Sequence, residues 1–477
     1  MANPVPETTR VVASHLYDFA ACEHRIALDT RLDRARRTPP DEAMRLLAEH
    51  GRRFEEKIAR ELGYPEVRVE DGDWERAATE TLDLMRRGER GIYQGVLLDG
   101  RRLARPDLLE RADGESAFGA WHYVPGDVKS AVEARSDAAL QVGFAGLLLE
   151  AVQRRHPEHG FLILGDGSRW WFETGSIRRS LEDSLERVEA IAEGAGDTFP
   201  FFSRHCGRCR WRDACLPGLV ERQDASLVWG LTRTRRSVYA RHGIGSVGDL
   251  AKAEATALRR AGAPTDGLDR LQRQAQALLE GSVVGRRGVR IPRGTRREHY
   301  LRIETDPTDF GDAFLFAWGA GPAGAGPLDD VRIAFGGGPE ARDSALRGIL
   351  AWLGEATEPV YHYGGVTPRA VDSLGESAGI SPERLGALEA RLVDLAPAVR
   401  NSGSLPVHFY RFEEVAAAIR GRPPAAEATA PEDVLFVEWF HAREAEDPSP
   451  HRAKLEEAGR SAVESLRAIR AWIEAGR

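Results

Sequence analysis

Four cysteines constrain this chain more than any other residues: Cys22 stands alone near the start, and Cys206, Cys209 and Cys215 fall within ten positions of one another. No other cysteine occurs in 477 residues. Cysteine used so sparingly and then clustered points to a bound metal or metal cluster rather than to core packing. With Cys22 as the fourth ligand, a module of about two hundred residues, near a common domain size, is stapled at its two ends. A four-cysteine zinc site usually presents two close pairs. Only Cys206-X2-Cys209 is such a pair, and the one-plus-three split is compatible with a cluster held by four thiolates.

Composition supports this. No apolar run reaches eighteen residues, and Met1 to Thr9 lacks the regions of a signal peptide, so the expectation is a cytoplasmic protein without membrane contact. Thiols there stay reduced and serve as ligands. The formal charge of -8 excludes bulk-charge coating of nucleic acid, leaving only a local basic stripe. Four lysines (Lys57, Lys129, Lys252, Lys454) stand against sixty-two arginines. Each lysine is therefore conspicuous, because arginine does not replace a compact point charge.

Periodicity divides the chain. Helices are predicted over His15 to Asp29 and Asp41 to Leu62, the second after Pro39-Pro40. Ile92 to Leu98, the turn Asp99-Gly100 and Arg101 to Leu109 read as a hairpin. A strand from Ala120 to Val128, a helix from Asp137 to Arg154, a hairpin over Phe161 to Glu173 and a helix from Ser176 to Glu193 follow. The pattern predicts a mixed α/β layer architecture. Residues 222 to 283 read as helical, with Gly243-Ile244-Gly245-Ser246 in a turn whose backbone amides can meet a phosphate. A basic connector, Gly285 to Arg297, can follow a nucleic-acid backbone. The last domain opens with a strand at Tyr300 to Glu304, then strands at Phe314 to Trp318, Val331 to Phe335 and Val360 to Tyr363, with a helix over 340–355. Arg422 to Pro431 reads as a Pro/Ala-rich loop.

Asp107, Asp127 and Lys129 carry the chemistry. Carboxylates at the ends of adjacent strands, with a lysine two residues past the second on the same face, can hold a divalent cation and aim water at a phosphodiester. Magnesium suits an all-oxygen ligand set. Lys129 would stabilise developing negative charge on phosphoryl oxygens. Glu55, on the upstream helix, and Gln141, in the helix after the motif, are the supporting candidates. Arg204, Arg208, Arg210 and Arg212 are candidates for steering single-stranded DNA.

The spacing Arg105-Pro106-Asp107, then Asp127-Val128-Lys129, is that of the PD-(D/E)XK nucleases. Cys22-Glu23-His24-Arg25, Gly51-Arg52-Arg53-Phe54-Glu55, Gln141, Cys206-X2-Cys209-X5-Cys215, the Gly243 to Leu250 segment and Ile303 to Pro307 extend the match. The whole chain resembles the RecB-like nuclease family, and the one-plus-three cysteines also resemble those of the AddB nuclease. The resemblance implies an iron-sulphur PD-(D/E)XK domain at 1–221, of mixed sheet and flanking helices. It further implies a small all-α helix-hairpin-helix-like domain at 222–284, the linker at 285–297, and an RNase H-like α/β domain of the DnaQ type at 298–477. It also implies a structural [4Fe-4S] cluster on Cys22, Cys206, Cys209 and Cys215, and Mg2+ or Mn2+ on Asp107, Asp127 and Glu55.

The chain departs from the family in places. Phe54 stands where relatives often carry a histidine, and Ala145 where a tyrosine is common. The RNase H-like domain reads Arg302-Ile303-Glu304 where Asp-X-Glu is normal, with Ala462 and Thr367 at two further acid positions. Glu304 and Asp394 are its residual acids, and little or no hydrolysis is expected there. The expected function is metal-dependent cleavage of DNA, single-stranded or at ends, with a helicase as the candidate partner. The alternative is an inactive nuclease-like scaffold that grips DNA for that partner.

Overall fold

Pro39-Pro40 followed by Asp41 starts a helix as the sequence predicts: the Asp41 carboxylate accepts the Met44 N–H (2.8 Å), and the helix runs Glu42–Leu62 until Gly63 at φ +64 ends it. The computed structural model describes residues 10–131, 134, 136–307, 312–324, 326–354, 357–422 and 431–476. Residues 1–9 and most of the predicted 422–431 loop lie outside the described residues. The chain is mixed α/β and divides into two compact units: Met1–Phe201 with Arg208–Ala214, and Phe202–Gly207 with Cys215–Arg477. The crossing falls inside the cysteine segment, so the expected 1–221 module straddles both units. Among the described residues no helix is long and apolar enough to cross a membrane.

The first unit contains β1 (Val11–Val12), α1 (Ala13–Cys22), α2 (His24–Arg31), α3 (Glu42–Leu62), α4 (Trp74–Arg86), β2 (Gly91–Tyr93), β3 (Leu97–Asp99), β4 (Arg102–Ala104), β5 (Leu108–Ser116), β6 (Gly119–Val128), α5 (Ser136–Gln153), β7 (His159–Ile163), β8 (Arg169–Glu173) and α6 (Thr174–Ala192). The expected helix over 15–29 is thus two helices meeting at Glu23. A five-stranded sheet has the order β2-β5-β6-β7-β8, and a small one the order β1-β4-β3. The central strand β6 is buried from His122 through Val128, as expected of a strand covered on both faces. It pairs antiparallel with β5 and parallel with β7, and α5 makes the crossover. α5 is buried nearly all round, packing Phe144, Leu148 and Leu149 into the main core beside Leu16, Leu109 and Tyr123. Each such side chain contributes about 1.5–3 kcal/mol.

The predicted 92–109 hairpin is corrected in one respect. β3 and β4 do pair across Asp99-Gly100, but β2 leaves them to pair with β5 in the other sheet. Two interruptions cause this. Gln94 adopts φ +57, ending β2, and Pro106, which has no N–H for a ladder, separates β4 from β5. The chain between β2 and β3 crosses closely over β5, since a Cβ on Gly95 would lie 2.7 Å from Leu109 Cδ1. The Val96 N–H donates to Thr81 Oγ1 on α4 (2.8 Å), anchoring the crossing.

After α7 (Arg212–Glu221), the second unit continues with α8 (Arg233–Ala240), α9 (Val247–Ala251), α10 (Ala255–Arg260), α11 (Leu268–Glu280), β9 (Arg297–Asp306), β10 (Asp312–Pro322), β11 (Asp330–Phe335), α12 (Pro339–Leu353), β12 (Val360–His362), α13 (Val366–Ser377), α14 (Pro382–Glu389), β13 (Leu392–Asp394), α15 (Leu395–Ser402), α16 (Phe412–Ile419), α17 (Pro431–Glu444) and α18 (Ser449–Ala475). Its sheet has the order β11-β10-β9-β12-β13, antiparallel from β11 to β9 and parallel from β9 to β13. The helical segment and the sheet domain belong to one unit. Gln274 on α11 donates to the carbonyls of Leu405 (2.8 Å) and Val407 (3.0 Å), and Trp229 packs on Tyr410 at 4.6 Å between ring centroids. The basic connector is docked on the sheet domain: Arg286 donates to the Trp472 carbonyl, the Arg287 guanidinium to that of Asn401, and Arg293 pairs with Glu474. These arginines are held against protein groups while remaining exposed to solvent.

Candidate active site

The register Leu108↔Gly126 sets Asp107 just before β5 beside Asp127, the penultimate residue of β6. The Val128 N–H donates to Asp107 Oδ2 (2.8 Å), so the β6 backbone itself holds the first acid. Period-two alternation puts Lys129 on the face of Asp127, and the two form an ion pair. Burial, followed by the Asp127 charge and a hydrogen bond to Asp127, pushes the Asp107 carboxyl well above the usual carboxylate range; Glu55 adds to this and Lys129 opposes it. Burial alone would lower the Lys129 pKa, but Asp127, Asp107 and Glu55 outweigh it and raise it. Three acids crowded around one ammonium form a site short of positive charge.

Glu55 reaches the cluster from α3. The Tyr93 hydroxyl donates to its Oε1 (3.0 Å), and burial followed by Glu55 raises the Tyr93 pKa. Gln94 Nε2 donates to the same Oε1 and to Asp107 Oδ1 (3.2 Å), and the Gln94 N–H donates to the Asp107 carbonyl (2.9 Å). Gln94 and Tyr93 are not among the residues that the sequence singles out. The available signal was the Gln94-Gly95 dipeptide, a turn pair inside an apparent strand. The left-handed backbone of Gln94 costs roughly 1–2 kcal/mol, and strain of this kind gathers at functional sites.

The remaining predicted residues fall as follows. Gln141, half-buried in α5, is not drawn into this network among the described residues. Phe54 is partly buried against the cluster of Ile58, Leu108, Val124, Val128, Phe161 and Ile163, so its ring packs on apolar side chains. Arg210 is corrected from a DNA-steering candidate to an internal ion pair: Nη1 donates to Asp18 (3.1 Å) and Nε to Asp29 (3.2 Å), which also accepts from Trp211 Nε1 (2.9 Å). Arg212 pairs with Asp213 at 3.2 Å.

No disulfide joins the cysteines. Cys22 and Cys209 belong to the first unit, Cys206 and Cys215 to the second. Burial opposes charge on Arg25, but Cys209, Asp18 and Cys22 outweigh it and raise its pKa, so two of the sulphurs face one guanidinium. The Trp211 N–H donates to Cys209 Sγ (3.4 Å) and the Ser203 N–H to Cys206 Sγ (3.3 Å). Sulphurs that accept backbone N–H groups and face a cation suit thiolate ligation. The acid cluster likewise offers oxygen donors and surplus negative charge, which suit a hard divalent cation. Among the described residues no three His, Cys, Asp or Glu side chains are arranged to hold a metal ion directly. At the acids, Lys129, Gln94 and the Val128 amide engage the carboxylate oxygens instead.

In the second unit the residual acids are occupied. Arg302 donates to Glu304 (2.6 Å) and Glu413 (3.2 Å) and lies over the Phe412 ring at 4.5 Å. Asp394 caps α15, accepting from Ala396 N (2.9 Å) and Gly364 N (2.8 Å). Thr367 is buried, and Ala462 packs against the core of α18. In the Gly243 to Ser246 turn, Asp249 Oδ2 accepts from the N–H groups of Gly245 (3.2 Å) and Ser246 (2.9 Å). A carboxylate of the chain itself thus takes up backbone amides that can meet a phosphate.

No family model matches the chain, and the search of characterised proteins likewise finds no match.

Proposed function

We propose that the first unit is a metal-dependent deoxyribonuclease of the PD-(D/E)XK, RecB-like kind. The observation that carries this is the gathering of Asp107, Asp127, Lys129 and Glu55 at one end of the β5–β6 pair. Asp107, Asp127 and Glu55 would hold Mg2+ or Mn2+, which when bound supplies Lewis acidity and lowers the pKa of water. As a ligand Asp107 would be in its carboxylate form. Lys129 donates to developing charge on the phosphoryl oxygens, and Glu55, held by Tyr93 and Gln94, keeps its place in the set. Cys22, Cys206, Cys209 and Cys215 would hold a [4Fe-4S] cluster with a structural role. The strand order of the second unit supports an RNase H-like domain. The Arg302–Glu304 pair and the capping role of Asp394 favour binding without hydrolysis there, to DNA or to a protein such as a helicase.

Cleavage of single- and double-stranded DNA with Mg2+ or Mn2+, by anaerobically purified protein and by Lys129→Ala, tests the assignment. Lys129→Ala is expected to lose about 100- to 1,000-fold in rate, as when one transition-state donor is removed. Equal residual cleavage in both would overturn the site. DNA binding without any cleavage would favour the scaffold reading.

A further inference from the structure

Four non-glycine residues among those described have left-handed backbones: Asp71, Gln94, Arg154 and Gln223. Three are exposed, and Gln94 alone is half-buried. In an extended strand, consecutive side chains point to opposite faces, so Tyr93 and Gln94 would diverge. The left-handed turn at Gln94 brings both onto a single atom, Glu55 Oε1. Glu55 Oε2 accepts nothing from the described residues. Gln94 Nε2 also donates to Asp107 Oδ1, and the Gln94 N–H to the Asp107 carbonyl, so one residue grips two acids that are far apart in the chain.

Glycine or asparagine suits a left-handed backbone better than glutamine does. Neither spans both acids, because glycine has no amide and asparagine is one methylene shorter. A lysine at 94 would add a second ammonium beside Lys129 and so compete with a cation for the carboxylates. A neutral two-proton donor holds like-charged groups together without competing for the ion. We propose that Gln94 is a positioning residue for a divalent cation at the acid cluster, fixing Glu55 through Oε1 and Asp107 through Oδ1 and its carbonyl, and leaving Glu55 Oε2 for the ion. This rests on the metal-dependent reading of the site. Gln94 itself does not touch the cation; it acts through the two acids, as outer-shell partners of metal ligands do.

The test is a titration of the full-length protein with Mn2+, the free ion being read by electron paramagnetic resonance, for wild type, Gln94→Asn, Gln94→Gly and Asp127→Asn, with the thermal midpoint of each measured without Mn2+. Both Gln94 variants fit the left-handed backbone and are expected to keep a midpoint close to that of wild type. They are expected to bind Mn2+ about 10- to 100-fold more weakly, and Asp127→Asn to lose the site. Wild-type affinity in both Gln94 variants would overturn the positioning role and leave the metal site standing. A collapse of the midpoint in both would make Gln94 a structural residue and likewise overturn it. If wild type and Asp127→Asn bind Mn2+ alike, the cluster is not the ion's site and both readings fall.

Discussion

Arg302 and Glu304, two residues apart on the same face of β9, form a buried ion pair at 2.6 Å, and Arg302 also bonds Glu413 at 3.2 Å. The glutamate at this strand position is thereby neutralised from within. Removing one partner of a buried pair leaves an uncompensated charge. Arg302→Met is therefore expected to cost about 3 kcal/mol in urea unfolding, with a smaller loss when Glu304→Leu accompanies it. On the proposed reading, in which cleavage belongs to the first unit, any DNA cleavage by the protein is expected to stay unchanged in Arg302→Met under conditions where the protein remains folded.

The raised pKa of Asp107 has a definite sign for stability. Between the ordinary carboxylate value and the raised one, the folded protein holds a proton that the unfolded chain has released. Stability without metal is therefore expected to fall as pH rises through that window. If the cluster holds Mg2+ or Mn2+ as proposed, the ion should restore it increasingly at higher pH, because cation and proton compete for the same carboxylates. Thermal midpoints against pH, with and without Mn2+, check this, and Asp127→Asn should flatten both curves.

Arg210 lies between Asp18 and Asp29, whose side chains are 1% and 8% exposed. Arg210→Ala is expected to destabilise the first unit by about 3 kcal/mol, since two buried carboxylates lose their main partner. The salt dependence of DNA binding should not change. A phosphate contact would instead lower the slope of log K against log salt by about one.

Asp249 forms a capping box with Ser246 and takes up the amides of the glycine turn. Asp249→Ala is expected to cost about 1 kcal/mol of stability, the usual value for a lost cap. DNA affinity should be unchanged or slightly higher, because the change removes a negative charge; a loss of affinity beyond that caused by unfolding would show that the turn needs Asp249 to meet DNA.

Much of the acid cluster was legible because it is local. Period-two alternation puts Asp127 and Lys129 on one face, and Pro106 marks the break at which Asp107 is held. The helix from Asp41 was legible from its cap and its prolines. Gln94 was not, because its role depends on a left-handed backbone that reverses the strand rule and on a partner in α3. Nor could the sequence say which arginines are free: Arg210, Arg286 and Arg287 look alike in composition, and only their partners differ.

Periodicity, caps and turn residues act over a few positions, and from them the mixed α/β class and most of the longer helices and strands can be read along the chain. The folded arrangement alone settles which charges neutralise one another, that β2 leaves the β3–β4 hairpin to pair with β5, and that the cysteine segment is divided between two units. Those outcomes depend on contacts between residues far apart in the chain, whose energies no local pattern records. Asp107, Arg302 and Arg210 illustrate one cause: a charge takes its meaning from the partner and burial that the fold supplies.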